Sequence, residues 1–445
     1  MSRMVAGMDW QELYSFASKQ ALLGLCFEDI ERLGNEYPEE LRLNPIGREL
    51  LMTWMGKAQQ IRRQNMKVNA VASKLFSMLR EDGMRCCVLK GQGNALMYPN
   101  PYSRTPGDID VWIDASRERI MEYASKKFEL GDDIRLQHLE TSLDGVPVEL
   151  HFFPCSMNNP IYHARLQKWF RRNADLQSSH IVGLPDGAGD IAIPTMAFNV
   201  IYQLCHLYHH FFDEGIGMRQ IIDYFLVVND FSKNVFLDYD FSNHPVPLSK
   251  EGSTFSPSPS QWSLHPLRFP RFRGTETSGS GDVTAPSRCS EPLRSKDGGA
   301  SKPSPDCAGW DRRGVSGDTS SAFTTDSSAS TALVVVQREL KYLGLWKFAG
   351  AVMYVLKEVL GLAEDKMIVP MDEKRGRLLL AEILDGGNFG RHFTKYAGFT
   401  HQSMGKKYFL KIWRNMHFVR YYPAEALSEP IFRTWHFFWR VKNKK

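Results

Sequence analysis

The feature that most constrains the fold is a series of short apolar segments between residues 84 and 155, flanked on both sides by long helical patterns. "MRCCVLKG" (84–91), "DIDVWID" (108–114) and "VPVELHFF" (146–153) have the length of strands, while "SRERIMEYASKKFEL" (116–130) has the spacing of an amphipathic helix. Asp144-Gly145 favours a two-residue type I′ turn, so the segments on either side of it should form a hairpin. Between the first two strands, "GQGNALMY" (91–98) is typical of a turn into a short helix. The order strand, helix, strand, helix, hairpin predicts a small mixed α/β domain.

Helical periodicity dominates the rest of the chain. "DWQELYSFASKQALLGL" begins at Asp9, which is a suitable N-cap, and "IGRELLMTWMGKAQQIRRQNMKVNAVASKLFSMLRE" keeps the pattern for many turns. We therefore expect an α+β protein in which a small mixed-sheet core is flanked by N- and C-terminal helical regions. The predicted regions are 1–83 (helical), 84–190 (α/β core), 191–233 (helical), 234–332 (low-complexity insertion) and 333–445 (helical, with a basic aromatic tail).

The stretch between residues 241 and 330 differs in composition from everything around it. It contains 20 Ser, 10 Pro and 9 Gly. A segment of this composition cannot bury enough apolar surface to offset the entropy lost on ordering. The sequence therefore predicts a disordered insertion within a helical domain.

The remaining composition points to a cytoplasmic protein with reduced thiols. The seven cysteines are scattered without a CxxC pair, and the first residues lack the apolar segment of a secretory signal. No uncharged apolar run reaches the ~18 residues that a membrane span needs. The net charge of +5 in 445 residues is too small to indicate nucleic-acid binding by itself.

Two carboxylates interrupt the apolar run in "RTPGDIDVWID" (104–114). Positions i and i+2 of a strand project to the same side, so Asp108 and Asp110 should point together, with Ile109 and Val111 facing the core. Neighbouring carboxylates repel each other unless a cation lies between them, and clustered carboxylate oxygens suit Mg²⁺. The alternative is an acidic turn, because "PGD" is also favourable turn sequence.

A third acid is expected from the hairpin. A two-residue turn at Asp144-Gly145 pairs Glu149 with Glu140 and His151 with His138, and places Glu149 and His151 on one face of their strand. Glu149 lies in the more apolar strand, so we expect it to complete a cage of three carboxylates. Glu140 is the competing candidate, although its strand is more polar and typical of a sheet edge.

These motifs together resemble the DNA polymerase β-like nucleotidyltransferase superfamily. "LKGQGNALMYPNPYSRTPGDIDVWI" followed by "VELHF" is most similar to a largely uncharacterised bacterial family with this fold. The resemblance implies that Asp108, Asp110 and Glu149 are the catalytic and metal-binding acids. It also implies that the Gly91-Gln92-Gly93 turn, through Gly91 and Gly93, contributes to binding the nucleotide, although the wider superfamily usually has Gly-Ser there.

The function implied is metal-dependent transfer of a nucleoside monophosphate from a nucleoside triphosphate to an unknown acceptor hydroxyl, with release of pyrophosphate. Two Mg²⁺ ions would serve this reaction. Lys90 and Arg104 are candidate phosphate-binding cations, or alternatively solvated loop charges. The altered glycine turn supports another hypothesis, a catalytically weak module that binds a nucleotide or a partner. A third hypothesis is an RNA-directed transferase.

"CHLYHHFFDEGIGMRQIIDYF" (205–225) contains further candidates. His206 and His210 have the i, i+4 spacing of a zinc-binding pair, without an evident third ligand. The resemblance instead places His210, Arg219 and Asp223 at the nucleotide or acceptor cleft. The structural alternative for Arg219 and Asp223 is an i, i+4 ion pair on a helix surface.

The final segment, residues 406–445, interleaves aromatic residues with ten Lys/Arg and two Glu. Aromatic and cationic side chains together can bind RNA, or they can lie at a membrane surface. The structural alternative is a terminal helix that packs its aromatic residues on the core and leaves its cations in water.

Overall fold

The structure, a computed structural model, describes Val5 and residues 7–130, 135–234, 325–393 and 404–443. Most of the predicted insertion, residues 235–324, lies outside the described residues. The described chain is α+β, as the sequence predicted, with one four-stranded sheet, a two-stranded sheet and many helices.

The four-stranded sheet is formed by the segments that the sequence singled out. Its strands are β1 (Cys86–Leu89), β2 (Ile109–Ile113), β3 (His138–Leu143) and β4 (Val146–His151), in the order β1-β2-β4-β3. The pairs β1–β2 and β3–β4 are antiparallel, whereas β2 and β4 run parallel. The sheet is therefore mixed, and its two central strands carry Asp110 and Glu149.

Along the chain, helices precede the strands of this sheet, connect them and follow them. Those before it and within it are α1 (Trp10–Lys19), α2 (Leu23–Glu36), α3 (Pro38–Leu43), α4 (Arg48–Glu81), α5 (Gly91–Ala95) and α6 (Arg117–Lys127). Those after it are α7 (Pro160–Ser179), α8 (Met196–Asp213), α9 (Met218–Asn234), α10 (Thr325–Tyr342), α11 (Trp346–Leu360), α12 (Glu373–Gly386), α13 (Met404–Met416) and α14 (Pro423–Asn443). Asp9 caps α1, as predicted, by accepting hydrogen bonds from the backbone of Gln11 and Glu12.

The two faces of the sheet belong to different hydrophobic clusters, and strand alternation decides which residue enters which. Ile109, Val111 and Ile113 pack in the smaller cluster, together with apolar residues of α4 and α6. Trp112 points the other way, into the larger cluster formed mainly by the helical regions. Because alternate residues of a strand face opposite sides, Asp110 lies on the same face as Trp112.

The β3–β4 hairpin has the register that the Asp-Gly turn predicts. Asp144 and Gly145 have φ values of 50° and 71°, the left-handed conformation that a type I′ turn requires at both central positions. Glu140 consequently pairs with Glu149. Strand β3 is an edge strand, also as predicted.

Two elements differ from the sequence-based expectation. The strands β5 (Ile181–Gly183) and β6 (Asp190–Ala192) form a short antiparallel hairpin that the sequence analysis did not identify. Helix α10 begins at Thr325, within the predicted insertion, because extending an existing helix by two turns is far easier than nucleating one. Among the helices described, none has both the length and the apolar character needed to cross a lipid bilayer.

Candidate active site

The three predicted acids converge at the centre of the four-stranded sheet. Asp108 lies just before β2, and Asp110 lies within it, opposite Glu149 across the parallel β2–β4 pair. Register partners on adjacent strands project to the same face. Asp110 is buried at 4% exposure, whereas Asp108 is exposed at the surface of a cleft. The sheet thus places Asp110 and Glu149 side by side, with Asp108 at the start of β2.

His151 connects Asp110, which is buried, with Glu149, which is half-buried. Its Nε2 lies 3.0 Å from Asp110 Oδ1 and 3.2 Å from Glu149 Oε2. Burial opposes protonation of this imidazole, but its hydrogen bonds to Asp110 and Glu149 outweigh burial and raise the pKa of His151 to about 9. Without a bound metal, a protonated His151 therefore supplies one positive charge between these carboxylates.

Lys90 supplies a second positive charge. It follows β1 directly, and its Nζ lies 3.1 Å from Asp110 Oδ1 and 3.1 Å from His206 Nε2. Burial lowers the pKa of Lys90, but the charges of Asp110, Asp108 and Glu149 outweigh burial, so the net shift is upward. Lys90 is thus paired with a site carboxylate and is not a solvated loop cation.

Asp108 shows the repulsion expected of clustered carboxylates. The negative charge of Asp110, together with partial loss of hydration within the cleft, raises the pKa of Asp108 to about 6. Lys90 opposes this shift without cancelling it. Asp108 and Asp110 therefore form an oxygen donor pair whose negative charge is incompletely neutralised, and this fits a divalent cation.

A cleft that is partly open to solvent is lined by Asp108 and Asp110. It contains two buried donors that lack hydrogen-bond partners, Arg219 Nε and Gln220 Nε2. The Arg219 guanidinium also donates from Nη1 to the Thr105 carbonyl and lies over the Phe389 ring. The lining comprises Lys90, Gly91, Asn94, Arg104, Gly107, Asp108, Asp110, Gln203, His206, Leu207, Arg219, Gln220, Asp223 and Phe389.

Arg104 is paired across 119 positions of the chain with Asp223. Its Nε and Nη2 donate to the two Asp223 carboxylate oxygens, both at 2.8 Å, and Tyr98 donates its hydroxyl to the same carboxylate at 2.7 Å. Both charged side chains are almost fully buried. The interpretation of Arg104 as a solvated loop cation is therefore wrong, and so is that of Asp223 as a surface partner of Arg219.

The two glycines of the Gly91-Gln92-Gly93 turn have different surroundings. Gly91 begins α5 with a φ of +43°, and a Cβ at this position would lie 3.8 Å from the Asp108 carbonyl oxygen. Gly91 therefore permits the left-handed turn between β1 and α5 beside the acids. Gly93 does not line the cleft, and a Cβ there would meet Ile193 Cγ2 at 3.0 Å, so its small size serves packing.

His206 and His210 are close to one another, with ring centroids 4.3 Å apart. Burial lowers the pKa of both imidazoles, that of His210 to about 3. His206 lines the cleft beside Lys90, whereas His210 does not. Within the described part of the chain, these two histidines do not belong to a metal-type group of three ligands.

Among the described residues, a group of three possible metal ligands is formed by His138, Glu149 and His151. One ligand atom from each lies within 4.8 Å of those of the other two. The sequence predicts the pairing of His138 with His151 across the hairpin, but neither histidine was expected to be a ligand. The cross-strand pairing on the face that carries Glu149 was the signal that could have identified them.

The C-terminal segment divides its aromatic residues between core and surface. Phe418 and Tyr422, between α13 and α14, are buried in the larger cluster. Helix α14 also presents an exposed apolar stripe with helical spacing. The stripe consists of Leu427, Ile431, Trp435 and Phe438.

Comparison with known proteins gives one extended match. A protein-family model described as uncharacterised nucleotidyltransferase matches residues 6–242, a little more than half of the chain. A search of curated proteins found no significant match. Among solved structures, the chain is similar to an antigenic nucleotidyltransferase-like protein from Paracoccidioides brasiliensis, with 16% identity, a TM-score of 0.26, and coverage of 36% of this chain and 75% of that chain. A similarity at this level supports no functional argument.

Proposed function

Because the chain belongs to the family of uncharacterised nucleotidyltransferases, we propose that it transfers a nucleoside monophosphate from a nucleoside triphosphate to an acceptor hydroxyl and releases pyrophosphate. The observation that carries the proposal is the convergence of Asp108, Asp110 and Glu149 at the neighbouring strands β2 and β4, with Asp108 and Asp110 lining a cleft. Clustered acids of this kind are otherwise unfavourable in a protein interior.

We propose that Asp108, Asp110 and Glu149 hold divalent ions, two Mg²⁺ in the simplest case. Such ions, when bound, supply positive charge to the triphosphate oxygens and lower the pKa of the acceptor hydroxyl. The proposal is supported by the raised pKa of Asp108, which reflects negative charge that Lys90 does not fully compensate.

Arg219 is the cation that we propose for the triphosphate. Its Nε is buried in the cleft without a partner, and Gln220 Nε2 beside it is also unpaired. Buried donors of this kind favour an acceptor-rich ligand such as a phosphate. Arg104, in contrast, is engaged by Asp223, so we assign it the role of holding the loop that carries Asp108.

A second candidate is a nucleotide- or partner-binding module with weak or no catalysis. The observation in its favour is that Lys90 and His151 already neutralise Asp110. Under this alternative, the acids would be satisfied by the chain itself, and nucleotide would bind without turnover.

The experiment that separates the two uses nucleoside triphosphates labelled at the α-phosphate. The purified full-length protein is incubated with each triphosphate, Mg²⁺ and a cell extract as acceptor source, and pyrophosphate and labelled products are measured. We expect Asp108→Ala and Asp110→Ala to reduce transfer by orders of magnitude, since catalysis of this type is mostly electrostatic. Asp175→Asn, which changes an exposed carboxylate paired with Arg85, is the matched control.

Retention of Mg²⁺-dependent transfer in both alanine variants would refute the proposed active site. Triphosphate binding without pyrophosphate release under any condition would instead favour the binding module. Either result is measurable with the same protein preparation, because binding is followed separately by equilibrium dialysis of the labelled nucleotide.

For the α14 stripe we propose contact with an anionic membrane surface, rather than RNA. Exposed aliphatic and aromatic residues at helical spacing suit the interfacial region of a bilayer. Both acids of the segment, Glu425 and Glu429, are buried, whereas Arg420 and Lys442 are exposed, so the exposed charge is cationic. The role of the segment in RNA-directed transfer stays a prediction.

A further inference from the structure

The acid at the centre of β4 is flanked by two histidines on the same face of the sheet. His138 on β3 pairs directly with His151 on β4, so both imidazoles project beside Glu149. Glu149 Oε2 lies 3.3 Å from His138 Nδ1 and 3.2 Å from His151 Nε2. This geometry places two imidazole nitrogens around one carboxylate oxygen.

The imidazole of His138 makes no hydrogen bond. Its side chain is buried, with 8% exposure for the residue, and neither ring nitrogen has a hydrogen-bond partner. Its Nδ1 is close to Glu149 Oε2, but the angle does not suit a hydrogen bond. Buried polar groups in folded proteins are usually satisfied, so an unpaired imidazole beside a carboxylate is well suited to bind a ligand that both can share.

We propose that His138, Glu149 and His151 bind a first-row transition-metal ion, such as Mn²⁺ or Co²⁺, in preference to Mg²⁺. Metal–ligand bonds of about 2.0–2.2 Å place neighbouring donors about 2.8–3.6 Å apart across octahedral and tetrahedral geometries. The two separations from Glu149 Oε2 agree with this spacing. Imidazole nitrogens favour transition metals, whereas Mg²⁺ prefers oxygen ligands and water.

This inference rests on the proposed function, because it identifies the metal at one end of the same site. Asp108 and Asp110 offer only oxygen ligands to the cleft and suit the ion that accompanies the triphosphate. The position at Glu149 differs because it mixes nitrogen and oxygen donors. The site therefore has two chemically distinct ends, and only the end at Asp108 and Asp110 is predicted to accept Mg²⁺ well.

The test is a titration of the metal-free full-length protein with Co²⁺, followed by the visible d–d absorption that reports nitrogen ligands and geometry. Mn²⁺ binding is followed in parallel by electron paramagnetic resonance. We expect His138→Ala to weaken Co²⁺ binding by about 10-fold or more. We also expect an approximately 100-fold excess of Mg²⁺ to leave the Co²⁺ absorption of the wild type largely intact.

Two histidine variants serve as controls. His180→Ala removes an imidazole that bonds the Ile193 carbonyl outside the cluster, and His210→Ala removes one member of the His206 and His210 pair. Both should leave the Co²⁺ titration unchanged. His138→Gln, which keeps a polar side chain of similar size, provides the measurement if the alanine variant does not fold.

Three results would each overturn the inference. Both His138 variants could keep the wild-type affinity for Co²⁺, the absorption could be lost in His210→Ala alone, or Mg²⁺ could displace Co²⁺. These outcomes are independent of turnover. A Co²⁺ site that depends on His138, in a protein that never releases pyrophosphate, would support the metal assignment and reject the proposed reaction. Transfer that depends on Asp108 without any His138-dependent Co²⁺ site would do the reverse.

Discussion

Replacement of Asp223 by asparagine tests how the loop that carries Asp108 is held. Asp223 accepts two hydrogen bonds of 2.8 Å from Arg104, and the two side chains are only 5–6% exposed. Removing one partner of a buried ion pair leaves the other charge uncompensated, which typically costs about 3–5 kcal/mol. Two charge-assisted hydrogen bonds at about 1.5–3 kcal/mol each give a similar figure. We therefore expect Asp223→Asn to lower the free energy of unfolding by about 3–5 kcal/mol.

Urea unfolding of four proteins measures this quantity: the wild type, Asp223→Asn, Arg104→Met and the double variant. If the pair acts as described, the loss of unfolding free energy in the double variant should be smaller than the sum of the losses in the two single variants. The reason is that the double variant buries no unpaired charge. A loss below about 1 kcal/mol in Asp223→Asn, with no coupling in the cycle, would refute the reasoning. It would also restore Arg104 as a cation available to the triphosphate.

The same pair predicts a pH dependence. Burial raises the pKa of the Asp223 carboxyl, but the charge and hydrogen bonds of Arg104, with Arg219 and Tyr98, outweigh burial and hold the pKa below the ordinary 3.8. A depressed folded-state pKa contributes stability above the unfolded value, and this stability is lost as the pH falls through the folded value. The difference in unfolding free energy between the wild type and Asp223→Asn should be constant near neutrality and shrink below about pH 4.

Three further outcomes are expected. Gly91→Ala should destabilise by about 1–2 kcal/mol in urea because Gly91 has a φ of +43°, whereas Gly47→Ala, with open space and no positive φ, should not. Arg219→Met should raise the KM for the triphosphate by about 10-fold or more, because a charge-assisted hydrogen bond is lost. An unchanged KM in steady-state kinetics would contradict the proposal that Arg219 binds the triphosphate. The double variant Ile431→Gln, Phe438→Gln should bind less to anionic vesicles in a sedimentation assay. Its Tm should not change, because both side chains are more than 60% exposed, and vesicle binding equal to that of the wild type would argue against membrane contact.

The sequence predicted the sheet of this protein well because its determinants are local. The Asp144-Gly145 turn sets the hairpin register, and the register places Glu149 in the row that also holds Glu140. Alternation along β2 then separates the core residues from Asp110. Each of these inferences needs only neighbouring residues and the two-residue period of a strand.

The rest of the site depends on contacts that no local pattern reveals. The pairing of Arg104 with Asp223 spans 119 positions, and it decides that Arg219 rather than Arg104 has a free donor in the cleft. Pairing of His138 with His151 was predicted, but whether the imidazoles are buried and lack partners depends on packing from other elements. Local periodicity was similarly uninformative about the three-residue strands β5 and β6, which are too short to show it.

The larger hydrophobic cluster has a practical consequence for anyone who wishes to study the catalytic region in isolation. Apolar side chains from both ends of the polypeptide, such as Trp54, Phe348 and Phe418, interlock within it. A fragment that stops at residue 242, where the family similarity ends, would leave the partners of Phe348 and Phe418 uncovered to water. Such a fragment should therefore aggregate on expression.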